Sequence, residues 1–261
     1  MRTNTLKTAW HNGDPTIGLW LGAADPVTVE QLGAVGFDYA CLDVQHGLID
    51  YPNVVPALTA LGASPTIPLA RAPWNEPGSI GKLLDAGVMG VVIPMVNTVA
   101  EAEAAVSACR YAPAGSRSWG PTRAAAALGG GYFDEANEQI ACIPMIETTT
   151  ALENLDDIVK VEGIDAIYVG PADLSISLGL RPGADNSDPS FQDAIGHIVS
   201  ACVANGIAPG IHSTPGLVQT RLEQGFRMVT ATSDLQAATS GASRDLATAR
   251  GETEAGDGSM Y

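Results

Sequence analysis

The sequence predicts an α/β protein of the (β/α)8 barrel class, on three observations. Short apolar runs recur along the 261 residues, helical patterns separate them, and the array spans about 250 residues, the usual length of such a barrel. The runs are continuously apolar rather than alternating, which indicates strands buried on both faces. The eight runs lie at residues 16–21, 37–43, 66–71, 88–94, 140–147, 164–170, 206–212 and 226–231.

Several of the helical patterns end at a glycine, because the position after the last helical turn often takes a left-handed conformation. Thr214 and Pro215 suit an N-cap and a first helical position. The helices are expected at residues 25–36, 54–63, 78–87, 98–110, 148–161, 189–206 and 214–225. The closing glycines are Gly36, Gly62, Gly87, Gly206 and Gly225.

One barrel domain is expected over residues 1–250, followed by a polar, acidic tail at 251–261 that is expected to be disordered. Residues 111–139 form an unusually long connection, and such segments are usually functional or contact a neighbour. A doubly wound sheet is the alternative fold, but no GxGxxG motif follows the first run. The stretch "ALGGGYF" at 127–133 leads into no capped helix and no Lys–Ser pair, so it does not predict a phosphate loop.

Composition excludes some functions. The formal charge of −16 disfavours nucleic acid and anionic membranes as partners, because both require a positive surface. The four cysteines are isolated and lie in apolar segments, which disfavours a zinc site or disulfide framework and suits a reducing cytoplasm. The N-terminus lacks a signal-peptide core and no window has the length of a membrane span. A soluble, cytoplasmic protein is therefore expected.

Polar side chains follow the apolar runs, at the strand ends where barrel enzymes place their chemistry. Each has an ordinary explanation when taken alone: an arginine as a salt-bridge anchor, an acid as the N-cap of the next helix. Together they predict two acids, an arginine and a histidine converging on one barrel mouth. The positions are Asp43, His46, Arg71, Glu147, Asp173 and His212.

Glu147 and Asp173 lie one strand–helix repeat apart, so they are expected to follow adjacent strands. Two carboxylates completed by water form a usual oxygen shell for a hard divalent cation. The segment "GPAD" at 170–173 adds backbone N–H groups suited to a substrate carboxylate. A glycosidase also needs two carboxylates, but that alternative leaves Arg71 and His46 without a role and wants aromatic residues that this chain has in small number.

The motifs "DVQHG" at 43–47, "PLARAP" at 68–73, "PMIET" at 144–148 and "VGPADLS" at 169–175 closely resemble those of the HpcH/HpaI family of pyruvate-dependent class II aldolases. The resemblance covers about residues 5–250. It implies a (β/α)8 barrel that binds Mg²⁺, Mn²⁺ or Co²⁺ and cleaves 4-hydroxy-2-oxo acids to pyruvate, or a pyruvate analogue, and an aldehyde through a metal-bound enolate. It also implies a place in aromatic catabolism and a homo-oligomer. That oligomer is a hexamer built as a trimer of dimers, with the C-terminal helix swapped between subunits.

The resemblance assigns roles residue by residue. Glu147 and Asp173 resemble the metal ligands, and Arg71 resembles the group that steadies the enolate oxygen. His46 resembles the base, and Asp85 resembles the acid that raises its basicity. The remaining positions resemble the contacts to substrate, with Trp20 as a pocket wall. These are Trp20, Gly170, Pro171, Ala172 and Asp173.

Two departures from the family pattern bear on substrate range. Gln45 stands where members often have Glu, and Met145 stands where they often have a Gln that touches substrate. A Schiff-base aldolase is disfavoured because none of Lys7, Lys82 and Lys160 follows a predicted strand. Two alternatives stay open: a related metal-dependent lyase that decarboxylates oxaloacetate or acts on a CoA thioester, and a non-catalytic barrel that binds a keto acid.

Overall fold

The protein, analysed as a computed structural model whose described residues are 1–252, is a closed eight-stranded parallel barrel. Residues 253–261 of the expected disordered tail lie outside the described residues. Strands pair in sequence order and β8 closes the barrel against β1. Each of the first seven apolar runs contains one strand and the eighth overlaps β8, which extends two residues beyond it, so the predicted fold class is confirmed. The strands are β1 Thr16–Leu21, β2 Tyr39–Asp43, β3 Ile67–Arg71, β4 Gly90–Ile93, β5 Ala141–Ile146, β6 Ala166–Val169, β7 Ala208–His212 and β8 Met228–Ser233.

Every predicted helical segment contains helix, with additions that the sequence pattern did not predict. The additions precede β1, lie within the 111–139 segment and follow β6, while residues 148–161 divide into two short helices. The helices are α1 Thr5–Asn12, α2 Pro26–Gly33, α3 Tyr51–Leu61, α4 Pro77–Ala86, α5 Val99–Cys109, α6 Thr122–Leu128, α7 Tyr132–Gln139, α8 Thr149–Glu153, α9 Leu155–Ile158, α10 Pro171–Ser177, α11 Pro189–Ala204, α12 Val218–Glu223 and α13 Asp234–Ala249.

Two details of the helix ends differ from expectation. Gly62 has a φ of −61°, so it ends α3 in a right-handed conformation, whereas the other four predicted glycines all have positive φ. Thr214 occupies the N-cap position of a 3₁₀ turn at Pro215–Leu217, yet its side chain makes no capping hydrogen bond. The glycine-rich stretch at 127–133 does lead into a helix, α7, which begins after Gly131 without a side-chain cap.

Two buried tyrosines, one on β2 and one on β6, meet inside the barrel. Tyr39 and Tyr168 are fully buried, and their hydroxyls share the Oγ1 of Thr230 at 3.0 and 2.5 Å. Gly18 makes room for one ring, since a Cβ there would lie 2.0 Å from Cζ of Tyr39. Burying the hydroxyls with a shared partner avoids the cost of unpaired polar groups.

The long connection at 111–139 is folded, and it packs against α4. Arg117 is buried, stacks on the ring of Tyr111 at 4.4 Å and donates from Nη2 to Asp85 Oδ1 at 2.8 Å and to Tyr132 Oη at 3.0 Å. Trp119 and Phe133 from the same connection are more than half exposed. The connection therefore fixes the carboxylate of Asp85.

Helix α13 stands apart from the barrel. Among its sixteen residues only Asp234 is buried, and Leu235 and Leu246 are about half exposed.

Residues 1–252 contain no helix with the length and apolar character that a membrane span requires. The four cysteines are free and buried.

Candidate active site at the carboxyl ends of the strands

The strand register brings the polar residues of the motifs to one end of the barrel. Asp43 and Arg71 are the last residues of β2 and β3 and are direct partners in the parallel pair. Glu147 follows β5, and Asp173 lies in the first turn of α10 after β6; β5 and β6 are hydrogen-bonded neighbours. The prediction that these two acids follow adjacent strands is confirmed by the topology. Because parallel strands end on one side, all four side chains belong to one mouth.

Arg71 and Asp43 form a buried, two-point ion pair. Nε of Arg71 donates to Oδ1 of Asp43 at 2.9 Å and Nη2 donates to Oδ2 at 2.6 Å. Burial by itself would raise the pKa of Asp43, but the hydrogen bonds and charge of Arg71 outweigh it and hold that pKa at about 2. Burial opposes the charge of Arg71 as well, and Asp43 outweighs it, so the pKa of Arg71 is raised. The guanidinium is therefore held charged and fixed in direction.

Trp20 organises this pair from β1. Its Nε1 donates to Oδ2 of Asp43 at 3.0 Å, and its ring lies 5.2 Å from the guanidinium carbon of Arg71. The ring stacks on Tyr168 at 5.5 Å and meets the edge of His212 at 5.2 Å. The structure shows Trp20 holding the Asp43 carboxylate in place, and its predicted role as a pocket wall stays a prediction.

The segment that carries His46 is anchored by its backbone. The N–H groups of Gln45 and His46 both donate to Oδ1 of Asp43 at 3.1 Å, and Leu48 N–H donates to the carbonyl of Gly22 at 2.7 Å. A Cβ at Gly47 would lie 2.3 Å from the carbonyl oxygen of Asp43, so only glycine fits there. The imidazole of His46 is exposed, which leaves it open to a ligand at the mouth.

Asp85 does not meet His46 within the described chain. Its Oδ1 accepts from Arg117, and the described residues contain no hydrogen bond between Asp85 and His46. The structure therefore gives Asp85 a structural partner that the sequence did not predict. Its predicted tuning of His46 stays a prediction.

Glu147 is a buried carboxylate with little compensation. It is 2% exposed, and Oε1 accepts one hydrogen bond, from the N–H of Met95 at 2.8 Å. Burial raises the pKa of Glu147 to about 7; the charge of Asp173 adds to the rise, while the Met95 N–H and the charge of Arg71 oppose it. A Cβ at Gly170 would lie 2.5 Å from Oε2, so glycine keeps the space beside that oxygen open.

The turn from β6 into α10 completes this side of the mouth. Gly170 is the N-cap of α10, Pro171 is its first residue and the exposed Asp173 lies in its first turn. Within residues 1–252 no group of three or more His, Cys, Asp or Glu side chains is arranged to hold a metal. The donor set at this point is thus two carboxylates with open space at Oε2 of Glu147, which fits an oxygen-preferring divalent cation that completes its shell with water or substrate.

Three features of the mouth were not predicted from the sequence. Met95 supplies the N–H to Glu147 from a left-handed conformation, φ 57°, and a methionine there carries no sequence signal for it. Tyr168 lies in an apolar run that reads only as a strand. His212 was noted at a strand end, but its environment was not: burial first, then the charge of Arg71, lowers its pKa to about 4, so the ring is neutral near pH 7.

Comparison with known proteins identifies the group to which this arrangement belongs. Residues 16–240 match the family model described as HpcH/HpaI aldolase/citrate lyase. A hydroxypyruvate/pyruvate aldolase of Rhizorhabdus wittichii is 38% identical over 248 residues, 95% of this chain and 99% of the relative. A 4-hydroxy-2-oxo-heptane-1,7-dioate aldolase of Klebsiella pneumoniae is 38% identical over 80% of this chain and 79% of the relative.

The solved structures agree. The crystal structure of an HpcH/HpaI aldolase/citrate lyase family protein from Burkholderia cenocepacia J2315 superposes with a TM-score of 0.89 at 29% identity, covering 95% of this chain and all of the other. The family-model match, residues 16–240, spans all eight strands and the positions of the four motifs. The chain belongs to the HpcH/HpaI aldolase/citrate lyase family.

Proposed function

We propose that this chain is a metal-dependent pyruvate aldolase that reversibly cleaves 4-hydroxy-2-oxo acids to pyruvate, or a pyruvate analogue, and an aldehyde. Its family and its identity with named aldolases over nearly the whole chain make it an enzyme of the carbon–carbon lyase class. The observation that carries the proposal is that two unlike groups share one mouth. One is a fixed guanidinium on β3, and the other is a pair of carboxylates after β5 and β6 that form no ion pair within residues 1–252.

Glu147 and Asp173 would hold the divalent cation, with Mg²⁺, Mn²⁺ and Co²⁺ as candidates. When bound, such a cation supplies a Lewis acid that polarises the 2-oxo group of the substrate. Gly170, Pro171 and Ala172 lie between the two carboxylates along the chain and are proposed to receive the substrate carboxylate. Met145 lies against this turn, its Cε 3.0 Å from a Cβ built on Gly170.

Arg71 is proposed to stabilise the negative charge that develops on the 2-oxo oxygen when the C3–C4 bond breaks. Its guanidinium is pre-oriented by Asp43 and Trp20, so little reorganisation is needed as the charge develops. Preorganised charge of this kind is usually the largest contribution to acyl and enolate chemistry. Trp20, Asp43 and Arg71 thus act together.

His46 is proposed as the base that takes the proton from the C4 hydroxyl, because its imidazole is exposed at the mouth and imidazole is the side chain that most often serves as a general base. His212, the next candidate, is a poorer base because its pKa is lowered to about 4. Hydroxypyruvate and pyruvate are the donors in the name of the R. wittichii relative, and we propose the same two donors here.

Two explanations of the role of Asp85 make different predictions. If Asp85 raises the basicity of His46, for example from a neighbouring subunit, Asp85→Asn lowers the maximal cleavage rate and moves the acid limb of the pH–rate profile to lower pH. If Asp85 serves Arg117 alone, the substitution leaves a buried guanidinium without its carboxylate and lowers stability instead. A pH–rate profile measured beside urea unfolding distinguishes them, and we expect the change in the pH–rate profile.

Oxaloacetate decarboxylation is the second candidate reaction. When oxaloacetate loses its C4 carboxylate as CO₂, the C3–C4 bond breaks and its electron pair leaves the same enolate charge on the 2-oxo oxygen, so the Arg71 side of the mouth serves both reactions. A CoA thioester is disfavoured, because its phosphates favour a basic groove and the chain has a net charge of −16. A keto-acid-binding barrel without activity would not need the exposed His46.

The decisive experiment combines chelation with a substrate panel. Purified protein is incubated with pyruvate or hydroxypyruvate, a series of aldehydes and Mg²⁺, Mn²⁺ or Co²⁺, and the products are identified by mass. We expect aldol products that disappear after exhaustive chelation and return with added metal. Full activity after chelation, with no metal found by elemental analysis, would contradict the proposal.

We also propose a homo-oligomer, a hexamer formed as a trimer of dimers, in which α13 packs on a neighbouring subunit. The support is the helix itself, which buries one residue on its own barrel and exposes Leu235 and Leu246. Light scattering is expected to report six subunits, and a monomer at micromolar concentration would contradict this.

Free, buried cysteines suit the proposed cytoplasmic location.

A further inference from the structure

A buried carboxylate outside the residues discussed so far holds one edge of the mouth. Asp234, the first residue of α13, is 6% exposed and forms no ion pair among the described residues. Its carboxylate instead accepts hydrogen bonds from backbone N–H groups. These are Gly22 at 2.8 Å, Ala23 at 3.0 Å, Ala24 at 3.1 Å and Leu235 at 2.8 Å.

Three of these donors are consecutive and belong to the loop after β1. Successive backbone N–H groups that point to one place form an anion-binding concavity, and here the anion is a side chain of the same chain. Ala24 has a φ of 47°, a conformation that a non-glycine residue adopts only when its surroundings require it. The carboxylate of Asp234 supplies that requirement, since it accepts the Ala24 N–H.

The loop after β1 is in turn bonded to the segment that carries His46. The carbonyl of Gly22 accepts from Leu48 N–H at 2.7 Å, while its N–H is held by Asp234. A Cβ at Gly47 would lie 3.0 Å from the same carbonyl, so the two segments are closely packed. One residue, Gly22, therefore connects Asp234 through its N–H to Leu48 through its carbonyl, two residues after His46.

The register of the barrel explains why Asp234 reaches this loop. Trp20 in β1 is the partner of Ser233 in β8, so the residue after Ser233 lies beside the end of β1. Ser233 caps α13 by accepting from Gln236 N–H at 3.1 Å, and a carboxylate in the first turn also suits the positive end of a sixteen-residue helix. The start of α13 is thereby fixed to the mouth while the rest of the helix is exposed.

We propose that Asp234 is a positioning residue for aldol cleavage, which fixes the β1 loop and, through Gly22, the backbone that carries His46. This inference rests on the proposed role of His46 as the base. It predicts that the start of α13 and the base move together. It also predicts that the metal side of the mouth, on β5 and β6, is independent of Asp234.

The test compares two reactions of one protein. Aldol cleavage needs a base at the C4 oxygen, whereas oxaloacetate loses CO₂ without such a base. Asp234→Ala is expected to lower kcat for cleavage about 10- to 100-fold, the cost of a small misplacement of a reacting group. Decarboxylation and the Kd for Mn²⁺ are expected to stay at wild-type values. Asp234→Asn keeps one acceptor oxygen, so it is expected to fall between wild type and Asp234→Ala.

The matched control is Asp25→Ala. Asp25 lies in the same loop, but its carboxylate caps α2 by accepting from Thr28 N–H at 3.0 Å and forms no hydrogen bond with Gly22. We expect this variant to keep wild-type cleavage. Equal losses of cleavage and decarboxylation in both Asp234 variants would show a merely structural role, and wild-type cleavage in Asp234→Ala would also overturn the inference.

Backbone hydrogen–deuterium exchange tests the coupling without any activity. Removing the carboxylate is expected to speed exchange of the N–H groups of Gly22, Ala23 and Ala24, and also that of Leu48, while the N–H of Met95 at the metal side keeps its protection. Unchanged protection of Leu48 in both Asp234 variants would overturn the coupling. A wild-type protein inactive in both reactions would instead contradict the proposed function, and the exchange of Leu48 would then decide the coupling alone.

Discussion

The two sides of the barrel mouth differ in how their charges are compensated. On β1 to β3, Asp43 and Arg71 satisfy each other, Trp20 donates to the same carboxylate, and the pKa of Asp43 is held at about 2. On β5 and β6, Glu147 is buried with one N–H donor and its pKa is raised to about 7. Asp43 ends β2 and Glu147 follows β5, and both are buried. Among the described residues, Asp43 forms an ion pair and Glu147 does not.

This difference separates the tasks of the two sides. A pair that is complete within the chain is already in its working arrangement, so it needs no ligand to orient it. A buried carboxylate without compensation costs free energy, and a cation from solution removes that cost. The β1–β3 side therefore provides the fixed positive charge of Arg71. The β5–β6 side provides a site to which positive charge must be added by a cation. Four substitutions test this division, from the largest expected effect to the smallest.

Removing the carboxylate charge of Glu147, on the β5–β6 side of the mouth, should have the largest effect. Glu147→Gln is expected to abolish measurable Mn²⁺ binding and to lower cleavage by roughly 10⁴-fold, since a metal contributes several kcal/mol of charge stabilisation. The melting temperature of the metal-free protein should not fall, because a neutral amide suits a buried position better than an uncompensated carboxylate. Calorimetric titration with Mn²⁺ measures the first effect and thermal unfolding the second.

The exposed Glu153, six residues along the chain in α8, provides the matched control. Glu153→Gln keeps the same change of chemistry outside the mouth and should bind Mn²⁺ as the wild type does. Wild-type Mn²⁺ affinity in Glu147→Gln would mean that the cation site lies elsewhere.

Breaking the ion pair of Asp43 and Arg71 should affect both stability and activity. Arg71→Ala leaves Asp43 buried without its cation, which costs about 3–5 kcal/mol in the free energy of unfolding, and removes charge stabilisation worth about 10²–10³-fold in rate. Exchange of the methyl protons of pyruvate with deuterium should be suppressed as well. Arg71→Lys should recover only part of the rate, because a point charge cannot replace the planar, two-point contact.

A double variant separates the two effects of Arg71. Arg71→Leu combined with Asp43→Asn has no unpaired buried charge, so it should recover stability but not activity. Urea unfolding and NMR measurement of proton exchange on the same samples give both quantities. Recovery of activity in the double variant would show that the pair has only a structural role.

Removing His46 should change rate without stability. His46→Ala is expected to lower cleavage about 10²–10⁴-fold, the usual contribution of a positioned acid–base group, with unchanged Mn²⁺ binding, because the imidazole is exposed and on the other side of the mouth. His11→Ala, an exposed histidine of α1, is the control. Cleavage at the wild-type rate in His46→Ala would place the base elsewhere.

The smallest expected effect concerns His212, whose pKa is lowered by burial and then by the charge of Arg71. Its pKa in the folded protein is about 4, below the value of 6.5 for a free imidazole, so the unfolded chain takes up a proton first as pH falls. The stability that depends on a neutral His212 is full above about pH 6.5 and is lost progressively down to about pH 4. His212→Phe should lack this acid-dependent loss.

Urea unfolding of the wild type and His212→Phe at pH 7 and pH 5 measures the difference. The free energy of unfolding should fall more in the wild type between the two pH values. An equal fall in both proteins would show that other groups account for the acid sensitivity.

The sequence by itself determined the barrel and the location of its chemistry. Strands buried on both faces must be continuously apolar, and helices that cover them must alternate with them, so eight such repeats leave one closed arrangement. Because every strand of a parallel barrel ends on the same side, polar residues directly after the runs had to share one mouth. The motifs around Asp43, Arg71, Glu147 and Asp173 were therefore readable from their positions alone.

Only the tertiary structure decided which of these groups compensate one another. Asp43 binds Arg71, and Asp85 binds Arg117, because of strand register and of how the 111–139 connection packs on α4; neither pairing is encoded in spacing along the chain. The same holds for Asp234, which reaches the β1 loop only because β8 closes the barrel beside β1. Local propensity and periodicity depend on near neighbours in sequence, whereas the pKa of a carboxylate depends on burial and on the charges a few ångströms away, which the fold alone brings together.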